Sequence, residues 1–217
     1  MKAIVLLSGG IDSSVMLALA LEKGRECIAI SFNYGQRHQV ELDAAHAIAK
    51  HYGVTHHVVK IDCTAFTSSS LLKDSQVIPS TDRTVTDIES AGIPSTYVPG
   101  RNTIFIAYAI SFAEAFAATE IYIGANAMDI KPYPDCRPAF FNAFQELINV
   151  ATKQAVEGKA PQLITPLQEW DKTKIIQEGR RLGVPLELTF SCYSPLPNQS
   201  PCLRCDACVL RQAALSL

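Results

Sequence analysis

The stretch that most constrains this chain lies at its start, Ile4-Val5-Leu6-Leu7-Ser8-Gly9-Gly10-Ile11-Asp12-Ser13-Ser14. Ile4 to Leu7 is a continuous apolar run, the pattern of a strand buried on both faces. Ser8-Gly9-Gly10 forces a sharp turn, and Asp12 and Ser13 favour the start of a helix that continues through Val15 to Leu21. Two glycines between a buried strand and a helix let backbone approach a bound group. The unpaired N–H groups and the positive dipole end of the helix then face that group, so an anion is favoured there. The loop lacks the Gly-Lys-Ser/Thr ending of a Walker loop and the spacing of a GxGxxG dinucleotide fingerprint.

Further along, strands and helices alternate. Cys27 to Phe32 reads as a strand, and helical periodicity runs from about Val40 to Tyr52 and stops at Gly53. Thr55 to Ile61 reads as a strand rich in β-branched residues. Such alternation implies right-handed βαβ crossovers and a parallel sheet, whose ligands bind beyond the carboxyl ends of the strands. Cys63 to about Pro99 has little periodicity and reads as a lid, a binding loop or a mobile segment. A helix with its body over Ile104 to about Ala118 is nearly all apolar or small, which predicts a largely buried element. Then come a strand over Glu120 to Ala125, an amphipathic helix over Pro138 to Val156, an extended piece over Pro161 to Pro166, and a helix over Asp171 to Leu182.

Composition narrows the class. A net charge of −2 gives no global electrostatic argument for nucleic acid. No apolar run approaches the ~18–20 residues that span a bilayer, and Ala3 to Leu7 is too short for a signal peptide, so cytoplasm is the expected compartment. Thiols stay reduced there, so clustered cysteines point to metal before disulfide.

Cys192, Cys202, Cys205 and Cys208 give C-x9-C-x2-C-x2-C. A Cys-x2-Cys turn puts two thiolates on one side of an ion, and tetrahedral zinc takes four at ~2.3 Å. The alternatives are two disulfides, a redox pair, chance spacing, or an iron–sulfur cluster, which also takes four thiolates. With all four positions filled by protein, the site reads as closed and structural. Cys27, Cys63 and Cys136 are left over, and the first two fit as packing residues in or beside strands.

The loop resembles the SGGxDS signature of the PP-loop ATP pyrophosphatases, in which it holds the pyrophosphate of ATP while AMP passes to a substrate oxygen. Asn33 to His38, Gly92 to Asn102, Tyr133-Pro134-Asp135-Cys136-Arg137, and Ser191-Cys192-Tyr193 with the three-cysteine knuckle are all similar to one family, the QueC family of queuosine and deazapurine biosynthesis. The resemblance runs from Lys2 to Arg211. It implies an α/β fold of the PP-loop type, a three-layer α/β/α sandwich over residues 1–187 with a small zinc-binding module over 188–217. It also implies an ATP-dependent conversion of 7-carboxy-7-deazaguanine and ammonia into the nitrile, by a homodimer using ATP, Mg²⁺ and Zn²⁺.

The resemblance assigns roles to residues. Leu7, Ser8, Gly9, Gly10, Asp12, Ser13 and Ser14 would hold the nucleotide, with Ser31 and Phe32 bordering the adenine. Asp12 would organise the loop or meet Mg²⁺, since like charges keep it from phosphate oxygens. Arg101 and Asn102 open a helix, and Lys172 would approach the phosphates; cap and surface ion-pair roles compete for each. Asp129, Tyr133, Asp135 and Arg137 would form the base pocket, Asp135 accepting the N–H edge, where turn chemistry is the alternative. Asp12, Ser13, Arg101 and Lys172 would carry the catalysis. No histidine has a catalytic setting; His46 reads as a helix-surface residue.

Two departures stand out. The family has Asp-Tyr/Phe-Ser-Gly where this chain has Asp129-Ile130-Lys131-Pro132, and glycine where it has Leu203. Proline fixes φ where glycine was unrestricted, beside the expected base pocket. Two other function classes compete: a PP-loop relative acting on another carboxylate or a tRNA base, and a non-catalytic zinc-knuckle adaptor binding nucleic acid through Arg204 and Arg211. The first usually carries catalytic cysteines, a glutaminase or an RNA-binding extension, and none is apparent. The second has a thin basic patch and no stacking platform.

Overall fold

The computed structural model describes residues 1–36, 39–62, 69–72 and 83–216. Arg37, His38 and Cys63 lie outside the described residues, as does much of the aperiodic segment that follows Cys63. Strands β1 (Lys2–Leu6), β2 (Glu26–Asn33), β3 (Thr55–Lys60), β4 (Glu120–Tyr122) and β5 (Gln162–Ile164) form one sheet in the order β3-β2-β1-β4-β5. Every pairing is parallel, with Lys2 opposite Glu26, Ala3 opposite Glu120, Ile28 opposite Thr55 and Glu120 opposite Gln162. The order reverses direction at β1, so a crevice opens between the carboxyl ends of β1 and β4.

Alternate residues of each strand feed two cores, because side chains point to opposite faces with a period of two. Ala3, Val5 and Leu7 pack with helices α1 (Ile11–Glu22), α2 (Val40–His51) and α7 (Lys172–Arg181). Ile4, Leu6 and Ile121 pack with α4 (Arg101–Phe116) and α5 (Pro138–Ala151) on the other face. The result is the three-layer arrangement. Completing the set among the described residues are α3 (Val85–Ser90), α6 (Lys153–Val156) and α8 (Asp206–Leu215), whose Ala214 reaches the first core. No helix among the described residues is long and apolar enough to cross a membrane.

The expectations for individual elements need four corrections. Helix α4 is not largely buried: Asn102, Ile106, Ala109 and Ala113 form one covered stripe, while Tyr108 is 39% exposed and Ala107, Ser111 and Ala115 face outward. Apart from Tyr108 its outer side is made of small residues, and small residues do not announce which face is covered. The helix over Pro138 to Val156 is broken at Thr152, which has φ −111° and ψ 150°. Its hydroxyl caps α6 by accepting from Ala155 N at 3.0 Å, a local bond that competes with continuation of α5. The strand over Glu120 to Ala125 pairs fully only through Tyr122. The segment before Pro99 contains α3, started by a capping box between Thr84 and Asp87.

Candidate active site

A cavity of about 380 Å³ lies over the carboxyl ends of the strands. The loop forms its floor. Ser13 Oγ donates to Gly10 O at 3.0 Å and accepts from Ser8 N at 3.1 Å, and Ser14 Oγ donates to Gly10 O at 2.7 Å. These bonds fold the loop on itself and leave backbone N–H groups at the start of α1 facing the cavity. Ser8, Gly10, Asp12 and Ser13 line it. Gly9 and Ser14 support from behind. Gly9 has φ +87°, and a Cβ there would lie 2.3 Å from Glu41 O. Gly124 plays the same part at the end of β4, where a Cβ would meet Ser13 N at 3.1 Å. Its absence lets the two strand ends close on the loop.

Asp12 is the hub. Its Oδ2 accepts from Lys172 Nζ at 2.6 Å and Asn126 Nδ2 at 3.3 Å, while Oδ1 is buried with no partner. Burial works against the Lys172 charge, but Asp12 and Asp129 together hold its ammonium above the usual lysine value. Burial pushes the Asp129 carboxyl up, with Lys172 opposing and Asp12 adding to the push. An orphaned carboxylate oxygen beside an anion cradle suits a divalent cation.

Opposite the loop, Arg101, Asn102, Asp129, Pro132 and Tyr133 line the cavity. Burial works against the Arg101 charge too, yet Tyr34, Tyr133 and Asp135 hold its guanidinium firmly charged. Tyr133 OH lies 3.3 Å from Thr96 Oγ1. Asn102 and Asp135 are joined to each other: Asn102 N donates to Asp135 Oδ2 at 3.0 Å, and Asn102 Nδ2 donates to Asp135 O at 2.9 Å and to Cys136 Sγ at 3.2 Å. Asp135 thereby receives an otherwise unpaired N–H from the first turn of α4. Arg137 is exposed and donates from Nε to Ile130 O at 3.3 Å. The cavity wall thus includes Arg101, Asn102, Asp129 and Tyr133, whereas Asp135 and Arg137 stand behind or outside it. Burial pushes the Cys136 thiol up to about 12, which leaves no thiolate nucleophile there at neutral pH.

At the β2 end, Leu7, Ser31 and Phe32 line the same cavity. Ser31 Oγ donates to Leu7 O and lies 2.7 Å from His56 Nε2, so its hydroxyl already ties β2 to the end of β1 and to β3. Phe32 stacks on Phe105 with ring centroids 4.0 Å apart. His46 is exposed on α2. Sequence reasoning missed Asn126, which bonds to Asp12, and Glu41, which lines the cavity. Asn126 follows a strand end, but only the sheet order brings that end beside the loop.

The four cysteines converge. Their Sγ atoms all lie within 4.8 Å of one another, and Cys192–Cys205 and Cys202–Cys208 are each 4.0 Å apart. Zn–S bonds of ~2.3 Å in a tetrahedron put sulfurs about 3.8 Å apart, so the cluster can hold a metal ion; a disulfide needs about 2.05 Å. Backbone N–H groups of Ser194 and Cys202 donate to Cys192 Sγ at 3.4 and 3.2 Å, as suits a thiolate. Leu203 takes φ +61° in the knuckle turn. The module is also part of the site: Phe190 N donates to Gly9 O at 2.8 Å, and Asp206, Leu210 and Arg211 line the cavity. Arg211 donates to Thr189 Oγ1 at 2.7 Å and Leu186 O at 2.9 Å, which commits it inward rather than to a nucleic-acid surface.

The chain is 48% identical over 214 residues to the 7-cyano-7-deazaguanine synthase of Parasynechococcus marenigrum (strain WH8102), covering 98% of this chain and 92% of that one. It is 49% identical over 215 residues to the enzyme of the same name from Trichodesmium erythraeum (strain IMS101), covering 99% and 95%. Among solved structures, NMN synthetase from Francisella tularensis superposes with a TM-score of 0.52 at 17% identity, covering 94% of this chain and 69% of that one, which is a likeness of fold. The family model described as "Queuosine biosynthesis protein QueC" matches residues 2–217, and the chain belongs to that family.

Proposed function

We propose that this protein is an ATP-dependent carbon–nitrogen ligase that converts 7-carboxy-7-deazaguanine and ammonia into 7-cyano-7-deazaguanine. The observation that carries this reading is one cavity joining an anion-cradling loop to a wall with a half-buried arginine, a carboxyl group and a phenol. A carboxylate resists amine attack because hydroxide leaves poorly. Transfer of AMP to its oxygen makes a good leaving group, ammonia gives the amide, and a second transfer to the amide oxygen allows expulsion of AMP to the nitrile. Ser8, Gly10 and Ser13 hold the departing pyrophosphate through backbone N–H and hydroxyl groups. Leu7, Ser31 and Phe32 border the adenine. Lys172, kept charged by Asp12 and Asp129, stabilises charge that develops on the phosphates. Arg101 orients the substrate carboxylate, and Asp129 and Tyr133 meet the base. Asn102, Asp135 and Arg137 hold that wall in register.

Magnesium would be held by Asp12 through its unpartnered Oδ1 and would neutralise phosphate charge. Zinc would be held by the four cysteines and would cross-link a module, residues 188–217, that packs on the 1–187 domain. The ammonia enters free, the enzyme works in the cytoplasm, and it acts as a homodimer; Val150 at 75% and Val156 at 84% exposure are apolar surface that a second copy would cover. One observation favours a second reading: Pro132, within the stretch that departs from the family, lines the cavity, which suits a different deazapurine acceptor. Incubation with ATP, Mg²⁺, ammonium and 7-carboxy-7-deazaguanine, read by mass spectrometry, tests both. Nitrile with AMP supports the first reading. AMP without nitrile selects the second, and ADP overturns the adenylation route.

A further inference from the structure

Glu41, in the first turn of α2, lines the cavity together with Ser8, Asp12 and Arg101, and no motif singles it out. The loop itself puts it there. Gly9 has no Cβ, and one built there would lie 2.3 Å from Glu41 O and 2.9 Å from Ala45 N, so the first turn of α2 sits directly on the phosphate loop. The other cavity carboxylates are engaged. Asp12 accepts from Lys172 and Asn126, Asp129 from Asn126 N, and Asp206 pairs with Arg83. The Glu41 carboxyl has no hydrogen-bond or ion-pair partner among the described residues.

Burial pushes that carboxyl up to about 7. Of the charged side chains that share the cavity, Asp12, Arg83, Arg101, Asp129, Lys172, Asp206 and Arg211, it is Arg101 that pulls it back down. A carboxyl with a value near neutrality is matched to taking and releasing protons at cellular pH.

We propose that Glu41 is the proton acceptor for the nitrogen in this reaction; the inference rests on the function proposed above. Ammonia is mostly ammonium at neutral pH and has no lone pair for attack. Glu41 takes one proton from ammonium, giving NH₃ and the neutral acid. The nitrogen lone pair forms the C–N bond to the acyl adenylate, the C–O bond to AMP breaks, and AMP leaves with that electron pair. Glu41 has by then returned its proton to water, and it takes the second proton, shed by the nitrogen. In the dehydration half the adenylated amide loses AMP by the same C–O cleavage. Its two N–H protons leave as the C≡N bond forms, one at a time through the same carboxyl. No oxidant or reductant is required.

The competing role is a hydrogen-bond acceptor for the nucleotide, and the two roles separate in partial reactions. Three rates are measured for the wild type, Glu41→Gln and Glu41→Asp: carboxylate-dependent ATP–pyrophosphate exchange without ammonia, nitrile formation from ammonium, and hydroxamate formation from hydroxylamine. Hydroxylamine is largely unprotonated at neutral pH and needs no base to become a nucleophile. Glu41→Gln is expected to keep exchange and hydroxamate formation within about threefold of wild type and to lose about 10²-fold with ammonium. Raising the pH, which supplies NH₃ directly, should narrow that gap, and Glu41→Asp should recover part of the ammonium rate. Exchange that falls in step with nitrile formation overturns the proposal, since it marks a nucleotide contact or a damaged fold. An unimpaired ammonium rate in Glu41→Gln overturns it as well. A wild type without carboxylate-dependent exchange sinks the proposed reaction and this inference together.

Discussion

At the loop end of the cavity the contacts are short in sequence. Ser8 and Ser13 are five positions apart and bond to each other and to Gly10. At the opposite wall the contacts are long: Asn102 reaches Asp135 across 33 positions, and Tyr133 reaches Thr96 across 37. In the proposed reaction the first region would bind through N–H and hydroxyl groups of one short motif. The second would bind by side chains, each held by another. Anion binding would then rest on a short motif, whereas the choice of acceptor would be distributed over several segments and open to change. The departure from the family pattern, Ile130 to Pro132, falls in the second region.

That contrast can be broken most sharply at Asp12, the residue whose partners tie the loop to β4 and α7. Asp12→Asn leaves Lys172 with Asp129 as its remaining anion. It should lower both pyrophosphate exchange and nitrile synthesis by about 10³-fold while zinc content by atomic absorption stays unchanged. Survival of either activity would remove Asp12 from the centre of the site.

Stripping the cysteine site with a chelator comes next. It should release the Phe190–Gly9 bond and the α8 side of the cavity, lowering the melting temperature and raising the KM for both substrates. An unchanged KM in the stripped protein would confine the module to stability.

At the acceptor wall, Asp135→Asn leaves the Asn102 N–H with a weaker partner. A loss of about 1–2 kcal/mol in the wall predicts roughly a tenfold rise in KM for the deazaguanine, with the KM for ATP unchanged. Equal changes in both would join the two regions into one.

The sign of a pH effect sharpens the comparison further. Glu41 rises from 4.5 to about 7 on folding, so the folded state holds more protons between those values. Stability from this group is full below about 4.5 and falls as pH rises through about 7. Glu41→Gln should therefore melt at the same temperature as wild type at low pH and higher above neutrality, by at most a few kcal/mol of stability. Differential scanning across pH checks this, and a variant that melts lower at pH 8 would contradict the burial of that carboxyl.

The smallest effect is expected at Pro132→Gly. It restores the family residue at the cavity wall and should shift the preference between deazapurine acceptors by about fivefold or less, read as a ratio of kcat/KM values.

The strand–turn–helix at the start, the alternation of strands and helices and the cysteine spacing were legible in the sequence because their causes are local. They rest on glycine freedom, apolar periodicity and the reach of a two-residue thiolate turn. The same local reasoning over-read α4 as buried and ran α5 into α6, since neither a small-residue face nor a hydroxyl cap at Thr152 disturbs the periodicity. It found Arg101 and Tyr133 only through resemblance, and it could not separate Asp135, which supports the wall, from Asp129, which lines it.

What the sequence determined by itself is a strand–turn–helix loop at Ser8 to Ser13 of a kind suited to an anion, and a four-cysteine cluster near the C-terminus. What only the tertiary structure decided is which side chains share that loop's cavity. Lys172 meets Asp12 across 160 positions and Asn126 meets it across 114, because β4 lies next to β1 and α7 packs against α1. Glu41 arrives because Gly9 leaves room for a helix turn. Periodicity along a chain specifies which face of an element is covered, but the neighbours of that face depend on the order of strands in the sheet.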